Sequence, residues 1–394
     1  MRILHISPYY PYLKAPHAGG VCMAKEIEVL RKNNEVTVLS FVQNIEEIRA
    51  YDVDKLKNKV YVVKLKAMYK FLSIISKPNK PNYFTTRSNK LFYKKMVQVM
   101  REQKITHVHA EYSSMGQYLL KIKKKFPKIN TTLVLHDVTK QSYNRKTDNS
   151  KGIKRIYYKF QKKLITKYEG EYIKTADNVI VFSDKDKALV SDYYGYSSSI
   201  VVNSFFNIDG NAKLGELLIQ DEVLPKHIGF LGQMSRKENE DAALKLIKIF
   251  NSIYDTLNGS KLYIIGNNPS SKLQKHASDR VVITGYVENI NEYLQECKVM
   301  VFPLTEGAGI KIKVLYSMSL AIPVITSKVG SEGIDNNDTI ILCETDQEYI
   351  DAIHKINSLS IDEYSVLRKR ILALVKTGFT WEKTTDILND LYSK

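Results

Sequence analysis

The sequence contains the same arrangement of elements twice: a short apolar strand, a loop, an amphipathic helix and a second strand. The first copy begins with Arg2–Ser7 and the second with His227–Leu231. Strands that alternate with helices are typical of parallel sheets, because each helix carries the chain back to the edge where the previous strand began. The pattern therefore predicts an α/β fold made of two doubly wound domains.

Further runs of strand and helix character follow in both halves. In the first half, strands are predicted at 2–7, 35–41, 60–65, 107–110, 132–135 and 178–182, with helices at 21–32, 91–103 and 115–125. In the second half, strands are predicted at 227–231, 261–265, 281–284, 299–303, 323–326 and 339–342, with helices at 241–254, 312–319, 347–357 and 361–377. We place the junction near 204–225, with domains at 1–205 and 206–375, and expect a helix within 376–394 that returns to the first domain.

The composition excludes several other architectures. The chain has 394 residues, 44% of them apolar and 26% charged, which is ordinary for a globular protein of two or three domains. A disordered chain, a collagen and a coiled-coil rod are therefore excluded. No run of about 18 apolar residues is present, so we expect no transmembrane helix, and we expect no signal peptide. The three cysteines are far apart and lack metal spacing, which predicts a reduced, cytoplasmic protein.

Charge is distributed unequally between the two halves. Residues 1–200 contain 38 basic and 17 acidic residues, a net charge of +21, whereas residues 201–394 contain 21 basic and 25 acidic residues, a net charge of −4. A strongly basic half indicates an anionic partner, which could be a membrane surface, a nucleic acid or a charged substrate. Two halves of such different charge are most simply two domains with different ligands.

The basic residues of the first half alternate with apolar side chains in the stretches 64–80 and 140–167. Basic residues beside aromatic and aliphatic ones suit an anionic bilayer, where each surface lysine or arginine contributes on the order of 1 kcal/mol. A nucleic acid would use the same charges, but no recognised nucleic-acid-binding module is present. We therefore predict an anionic membrane and no nucleic acid as a partner, while a merely solvated basic face remains an alternative.

Two groups of small or polar residues in the first half are candidate binding residues. Gly19 and Gly20 lie at the start of a predicted helix, where glycines allow a phosphate to approach the backbone. The loop before them is too long and too aromatic for a dinucleotide fingerprint. His136 follows a predicted strand, and ligands of open α/β sheets bind at the carboxyl ends of strands. Each feature also has a structural explanation, as an ordinary turn or a hydrogen-bonding histidine.

The strongest candidate site is the segment 302–318, in which a strand runs through a glycine-rich loop into a helix. Gly307, Ala308 and Gly309 permit close backbone approach, and the helix N-terminus offers free N–H groups and a positive dipole end. Lys311 and Lys313 add formal charge, so the segment suits a diphosphate. Arg236 and Lys237, in the loop predicted after 227–231, are placed to bind the same phosphates, or are solvated basic residues.

Taken together, these residues resemble glycosyltransferase family 4, whose members have the GT-B fold of two Rossmann-like domains that face a cleft. The resemblance covers nearly the whole chain and is strongest in the second half. The stretches that carry it are 229–235, 263–266, 283–287, 303–318, 322–326, 330–334 and 379–382, with 19–20, 136–137 and 176–183 in the first half. No single motif decides it, but their order and spacing are specific.

The resemblance implies a retaining, metal-independent glycosyltransferase with no cofactor. A nucleotide-sugar, UDP- or GDP-linked, would bind mainly to the second domain and the acceptor to the first. By similarity, His136 would contact the sugar and Glu306 would position its hydroxyls. The donor-binding residues implied, or inferred from the loops above, are Gly19, Gly20, Arg236, Lys237, Tyr286, Val287, Gly307, Ala308, Gly309, Ile310, Lys311, Lys313 and Tyr316.

Tyr316 departs from the family pattern. Members usually have a second glutamate there, which accepts hydrogen bonds from the ribose hydroxyls, and a tyrosine hydroxyl can accept such a bond without carrying charge. The sequence thus predicts a cytoplasmic enzyme at the inner face of the cell membrane that extends a glycan, lipid-linked, in bacterial surface polysaccharide synthesis. The alternatives are a nucleotide-sugar epimerase of the same fold and a catalytically inactive binding or scaffold subunit.

Overall fold

The computed structural model describes residues 1–13, 15, 18–54, 59–202, 208–219, 224–334, 338–379 and 381–393. The chain divides into two compact units, Met1–Phe206 together with Glu382–Lys394, and Asn207–Trp381. The domain junction expected between residues 205 and 206 lies outside the described residues.

The first unit is a parallel sheet of seven strands in the order β3-β2-β1-β4-β5-β6-β7. Its strands are β1 (Arg2–Ser7), β2 (Glu35–Val42), β3 (Val60–Lys64), β4 (His107–Glu111), β5 (Asn130–Leu135), β6 (Asn178–Val181) and β7 (Ile200–Val201). Its helices are α1 (Ala18–Asn33), α2 (Ile45–Asp54), α3 (Ala67–Ser76), α4 (Asn82–Thr85), α5 (Lys90–Glu102), α6 (Gly116–Lys125), α7 (Thr139–Asp148), α8 (Gly152–Thr175) and α9 (Asp184–Tyr194). A 3-10 turn, Ser113–Met115, precedes α6.

The second unit is a parallel sheet of six strands in the order β10-β9-β8-β11-β12-β13. Its strands are β8 (His227–Leu231), β9 (Leu262–Ile265), β10 (Val281–Gly285), β11 (Cys297–Phe302), β12 (Val324–Thr326) and β13 (Ile340–Leu342). Its helices are α10 (Ile208–Ile219), α11 (Lys237–Ile253), α12 (Ser271–Gln274), α13 (Asn291–Leu294), α14 (Ile312–Ser319), α15 (Asp346–Ser358) and α16 (Ile361–Gly378). The last helix, α17 (Trp381–Ser393), belongs from Glu382 onward to the first unit. A 3-10 turn, Tyr254–Thr256, follows α11.

Burial on both faces explains why strands such as β11 are almost continuously apolar. In β11, all six residues are buried, and in β5 only the first is exposed. Helices cover these faces with apolar stripes: α5 buries Phe92, Met96 and Met100, and Phe92 stacks on Phe41 of β2 with ring centroids 4.3 Å apart. Parallel sheets need such cover on both sides, so the apolar strands and amphipathic helices specify one another.

The predicted α/β fold of two doubly wound domains is confirmed, and each predicted strand is present. Residues 200–201 add a seventh strand to the first sheet that the sequence analysis did not predict. The long helix α8 was also not predicted. Its buried positions include the polar residues Gln161 and Glu169, so the apolar periodicity that identifies a helix is interrupted.

Candidate functional site

The loop between β11 and α14 requires glycine at two positions. Gly307 and Gly309 have φ angles of 113° and 69°, which residues with a Cβ rarely adopt. Lys311 closes the loop, because its Nζ donates a hydrogen bond to the Gly309 carbonyl at 2.6 Å and lies 3.5 Å from the Glu332 carboxylate. The sequence therefore produces a tight loop at the start of a helix. Ala308 and Ile310 are half-buried between these residues.

Lys313 lies on the first turn of α14 in an apolar environment. Its Nζ donates to Asn239 Oδ1 at 2.6 Å and lies 4.7 Å from the ring centroid of Phe230. Burial, together with the charges of Lys311 and Arg236, lowers the pKa of Lys313 to about 7. The sequence alone predicts a full formal charge on this lysine. The structure differs, because the ammonium is desolvated and only part of the population is protonated near neutral pH.

The loops after β8 and β9 pack closely beside this helix. A Cβ on Gly266, whose φ is 146°, would lie 1.8 Å from the carbonyl oxygen of Gly232, so this contact requires a glycine. Asn239 Nδ2 donates to the Gln233 carbonyl at 2.9 Å. Asn239 therefore connects the β8 loop to Lys313, a link that spacing in the sequence did not reveal.

Arg236 is the last residue of the loop, as predicted, whereas Lys237 is the first residue of α11. The helix starts at Lys237, four residues before the predicted start, because Glu238 and Glu240 occupy its first turn and favour the positive end of the helix dipole. Lys237 forms an ion pair with Asp241, and Arg236 Nη1 lies 4.0 Å from Glu238 Oε1. Both basic side chains are largely exposed.

The remaining predicted residues of the second unit lie around the same strand ends. Glu306 is half-buried and makes no hydrogen bond or ion pair with any described residue, although its charge acts on Lys237 and helps to raise its pKa after the main effect of Asp241. Tyr286 is 76% exposed and follows Gly285 at the end of β10, and Val287 is half-buried. Tyr316 donates from Oη to Asn291 Oδ1 at 2.9 Å. Burial raises the pKa of Tyr316, so its hydroxyl stays protonated.

In the first unit, Gly19 lies against two tyrosines. A Cβ on Gly19 would be 2.0 Å from Tyr112 Oη and 2.6 Å from Tyr9 Oη, so a larger residue would displace these hydroxyl groups. Gly20 follows it and is buried. The helix that begins here therefore comes close to the carboxyl end of β4, where Tyr112 is located.

His136 directly follows β5 and is held on three sides. Its Nε2 lies 2.6 Å from Glu111 Oε2, its ring stacks on Tyr112 with centroids 3.8 Å apart, and the ring of Phe182 meets it edge-on at 4.9 Å. Tyr112 thus contacts both His136 and Gly19. The structure brings together these predicted residues of the first unit through a tyrosine that the sequence analysis did not select.

A buried group of charged residues lies next to His136. Glu111 Oε1 is 3.0 Å from His5 Nε2 and 3.1 Å from His109 Nε2, and His109 Nε2 is 3.0 Å from Glu26 Oε1. Burial alone would raise the pKa of Glu111, but hydrogen bonds from His109, His136 and His5 hold it well below its usual range. Burial and the charge of Glu111 raise the pKa of Glu26 to about 8. Glu111 is therefore the permanent anion of this group.

These four residues are also the types that hold metal ions. One ligand atom from each of His5, Glu26, His109 and Glu111 lies within 4.8 Å of the others. The contacts of 3.0–3.1 Å are ordinary hydrogen-bond distances, however, and protons account for them. We therefore describe the group as a hydrogen-bonded network and assign no metal to it.

Residues 225–358 match the family model described as Glycosyl transferases group 1. This range contains the β11–α14 loop and all the candidate residues of the second unit. The match lies within the second unit.

Solved structures of whole proteins share the fold of this chain. It is similar to sucrose-phosphate synthase from Thermosynechococcus elongatus, with a TM-score of 0.73, 15% identity, and coverage of 100% of this chain and 98% of the other. It is also similar to Anabaena Alr3699/HepE in complex with UDP and glucose, with a TM-score of 0.68, 13% identity and full coverage of both chains. These likenesses establish the GT-B fold.

A relative by sequence is described as an uncharacterized 44.6 kDa protein in the cps region of Klebsiella pneumoniae. It is 23% identical over 373 residues, which cover 90% of each chain. Among the described residues, no helix has both the length and the apolar character needed to cross a membrane.

Proposed function

We propose that the protein is a retaining glycosyltransferase that moves a sugar from a nucleotide-sugar donor to a glycan acceptor, without a metal ion or a cofactor. The observation that carries the proposal is the desolvated Lys313 behind a glycine-rich loop at the start of α14, within the range that matches the family model. During transfer the leaving diphosphate gains negative charge. Backbone N–H groups and a lysine already in position stabilise that charge, in the way that preorganised electrostatics lower a barrier.

The donor is proposed to be a UDP- or GDP-sugar. Structural neighbours include Alr3699/HepE in complex with UDP-glucose, which supports a uridine nucleotide. The relative from a cps region favours a glycan of a surface polysaccharide as the acceptor. By the family resemblance, the second unit binds the donor and His136 of the first unit contacts the sugar.

The proposal is tested by incubating the protein with UDP-, GDP-, ADP- and CMP-sugars while recording melting temperature and nucleotide release. A donor that binds only the folded state raises the melting temperature, by an amount that grows with its concentration. A transferase releases nucleotide rapidly only when an acceptor is added. An epimerase of this fold releases it slowly with or without acceptor, and a scaffold subunit releases none.

A lipid-linked acceptor at the inner face of the cell membrane is proposed from the surface of the first unit. None of the residues of α3 is buried, and Met68, Phe71 and Leu72 are each more than half exposed. The short helix α4 connects α3 to α8, since Asn82 is hydrogen-bonded to Tyr157. The beginning of α8 exposes further apolar side chains among its lysines: Ile153, Ile156, Tyr157 and Phe160. Exposed apolar side chains surrounded by basic residues are suited to binding an anionic bilayer.

We expect the protein to bind vesicles that contain anionic lipid and to dissociate as salt is added, because the attraction is screened. Leu72→Ser should weaken this binding by about tenfold, since burying a leucine contributes roughly 1.5 kcal/mol or more. Leu217→Ser is the matched control, because Leu217, on α10 of the other unit, is also more than half exposed. Vesicle sedimentation measures the binding of both variants. Equal binding to neutral and anionic vesicles, or equal losses in the two variants, would contradict the membrane proposal.

Tyr316 favours a second candidate, a catalytically inactive binding subunit, because it replaces the glutamate that the family uses for ribose. We expect Tyr316→Glu to preserve or tighten donor binding, since the amide of Asn291, now bonded to Oη, can rotate to donate to a carboxylate. Calorimetry measures the donor affinity of this variant, and its melting temperature measures stability. A variant that melts much earlier and binds no donor would show a pocket rebuilt for another ligand, because an unpaired charge would then be buried.

A further inference from the structure

One ring nitrogen of His136 contacts a protein group at hydrogen-bond distance, and the other does not. Nε2 lies 2.6 Å from Glu111 Oε2. Nδ1 makes no hydrogen bond with any described residue. It also differs from Nδ1 of His5 and of His107, which are unpaired and fully enclosed by protein. The stacked ring of Tyr112 and the edge contact with Phe182 fix the ring plane. The imidazole is therefore held in one orientation with Nδ1 accessible.

We propose that Glu111 is a positioning residue for His136, which holds the imidazole in its Nε2–H tautomer so that Nδ1 accepts a hydrogen bond from a hydroxyl group of the transferred sugar. The inference rests on the proposed function, which places the sugar at His136. An ionised carboxylate can only accept hydrogen bonds, so its partner Nε2 must carry the proton. In a neutral imidazole the other nitrogen then presents a lone pair.

The surroundings of Glu111 keep it ionised. It is completely buried, and His5 and His109 donate to its other oxygen, Oε1, at 3.0 and 3.1 Å. These two histidines come from β1 and β4, where they are directly opposite each other in register. Tyr392 of α17 contacts His109 from the far side. The hydrogen bonds from these two strands fix the orientation of the Glu111 carboxylate, and with it the position of Oε2 beside His136.

The tautomer determines what His136 can recognise. A nitrogen lone pair accepts from hydroxyl groups, and it does not attract a phosphate or a carboxylate. The ligand at Nδ1 is therefore a hydroxyl-bearing group rather than an anion, in contrast to the lysine-containing loop of the second unit. A carboxylate that fixes the tautomer of a histidine is known to matter for rate in other enzymes, because the wrong tautomer leaves the geometry intact and removes the function.

Glu26 provides a matched control for Glu111. Both are buried glutamates of the same network and both contact His109 Nε2, but Glu26 does not contact His136. Glu26→Gln therefore measures the effect of altering the network alone. Glu111→Gln additionally replaces the acceptor of Nε2 with an amide, which can present either its oxygen or its NH2 group to the ring.

The experiment combines nitrogen NMR of protein labelled with 15N-histidine and steady-state kinetics of sugar transfer. We expect the signals of His136, assigned by their loss in His136→Asn, to show the Nε2–H tautomer in the wild type and in Glu26→Gln, and a mixture of tautomers in Glu111→Gln. The kcat of transfer should fall at least about tenfold in Glu111→Gln, as for a misplaced reactant, and remain within about threefold in Glu26→Gln.

An Nδ1–H tautomer in the wild type would overturn the inference even if Glu111→Gln failed to fold. Equal spectra and equal rates for Glu26→Gln and Glu111→Gln would also overturn it. A fully active His136→Ala enzyme would remove the sugar contact while leaving transferase activity established. A wild-type protein that transfers no sugar from any donor would instead disprove the proposed function, and the spectrum of His136 would still decide whether Glu111 fixes its tautomer.

Discussion

Lys313→Met is expected to weaken nucleotide-sugar binding by about 1.5–3 kcal/mol, or roughly 10- to 150-fold, as for the loss of a charge-assisted hydrogen bond. Methionine keeps most of the packing against Phe230 and Phe302 and removes the ammonium. Lys298→Met is the matched control. Lys298 lies at the opposite end of β11, and burial likewise lowers its pKa, but its Nζ donates to the Asn357 carbonyl, away from the loop.

The pKa of Lys313 adds a second test of the same residue. The free protein has a pKa of about 7 at this site, so at pH 8 most molecules carry a neutral amine. A bound diphosphate favours the ammonium and raises this pKa, so binding takes up as much as one proton. Affinity should therefore fall as pH rises above about 7. Calorimetry at pH 8 in two buffers of different ionisation enthalpy measures the uptake, which Lys313→Met should abolish and Lys298→Met should retain. Unchanged affinity and uptake in Lys313→Met would remove Lys313 from the site.

Glu306→Gln is expected to reduce turnover by one or more orders of magnitude, because misplacing a reactant can cost about 100-fold. The carboxylate of Glu306 makes no hydrogen bond or ion pair with any described residue, so it is available to bind the sugar hydroxyls. Glutamine keeps the size and loses the charge. Affinity for UDP, which lacks the transferred sugar, should not change, and this provides an internal control for the folding of the loop. Full activity in Glu306→Gln would show that the sugar lies elsewhere.

The strands and the glycine-rich loop were predictable because each is encoded by neighbouring residues. A strand buried on both faces is a continuous apolar run, and a loop with positive φ angles requires glycine, so both leave a local signature. The start of α11 was predicted four residues late, because its first turn is polar and lacks the apolar periodicity on which the prediction relied.

The network around Glu111 could not be predicted in this way. His5 and His109 are separated by more than a hundred residues, and they meet only because β1 and β4 are neighbours in the sheet. The strand order follows from the packing of the whole domain and not from any short segment. The alternation of polar and apolar residues in His107–Glu111 was the available local signal, since it is unusual for a fully buried strand. It indicates polar groups that must find partners inside the domain.

The helix α17 has a consequence for how the protein is made. Leu388 and Tyr392 are buried, Tyr392 contacts His107 and His109, and Asn389 is hydrogen-bonded to Asn33. The first unit is thus completed by a segment that is translated after the entire second unit. Domains generally fold in the order of their synthesis on the ribosome. The sheet of the first unit therefore stays uncovered at the α17 site until the second unit has been synthesised. The surface that Leu388 and Tyr392 cover is then exposed, so a fusion or truncation within 382–393 should impair solubility.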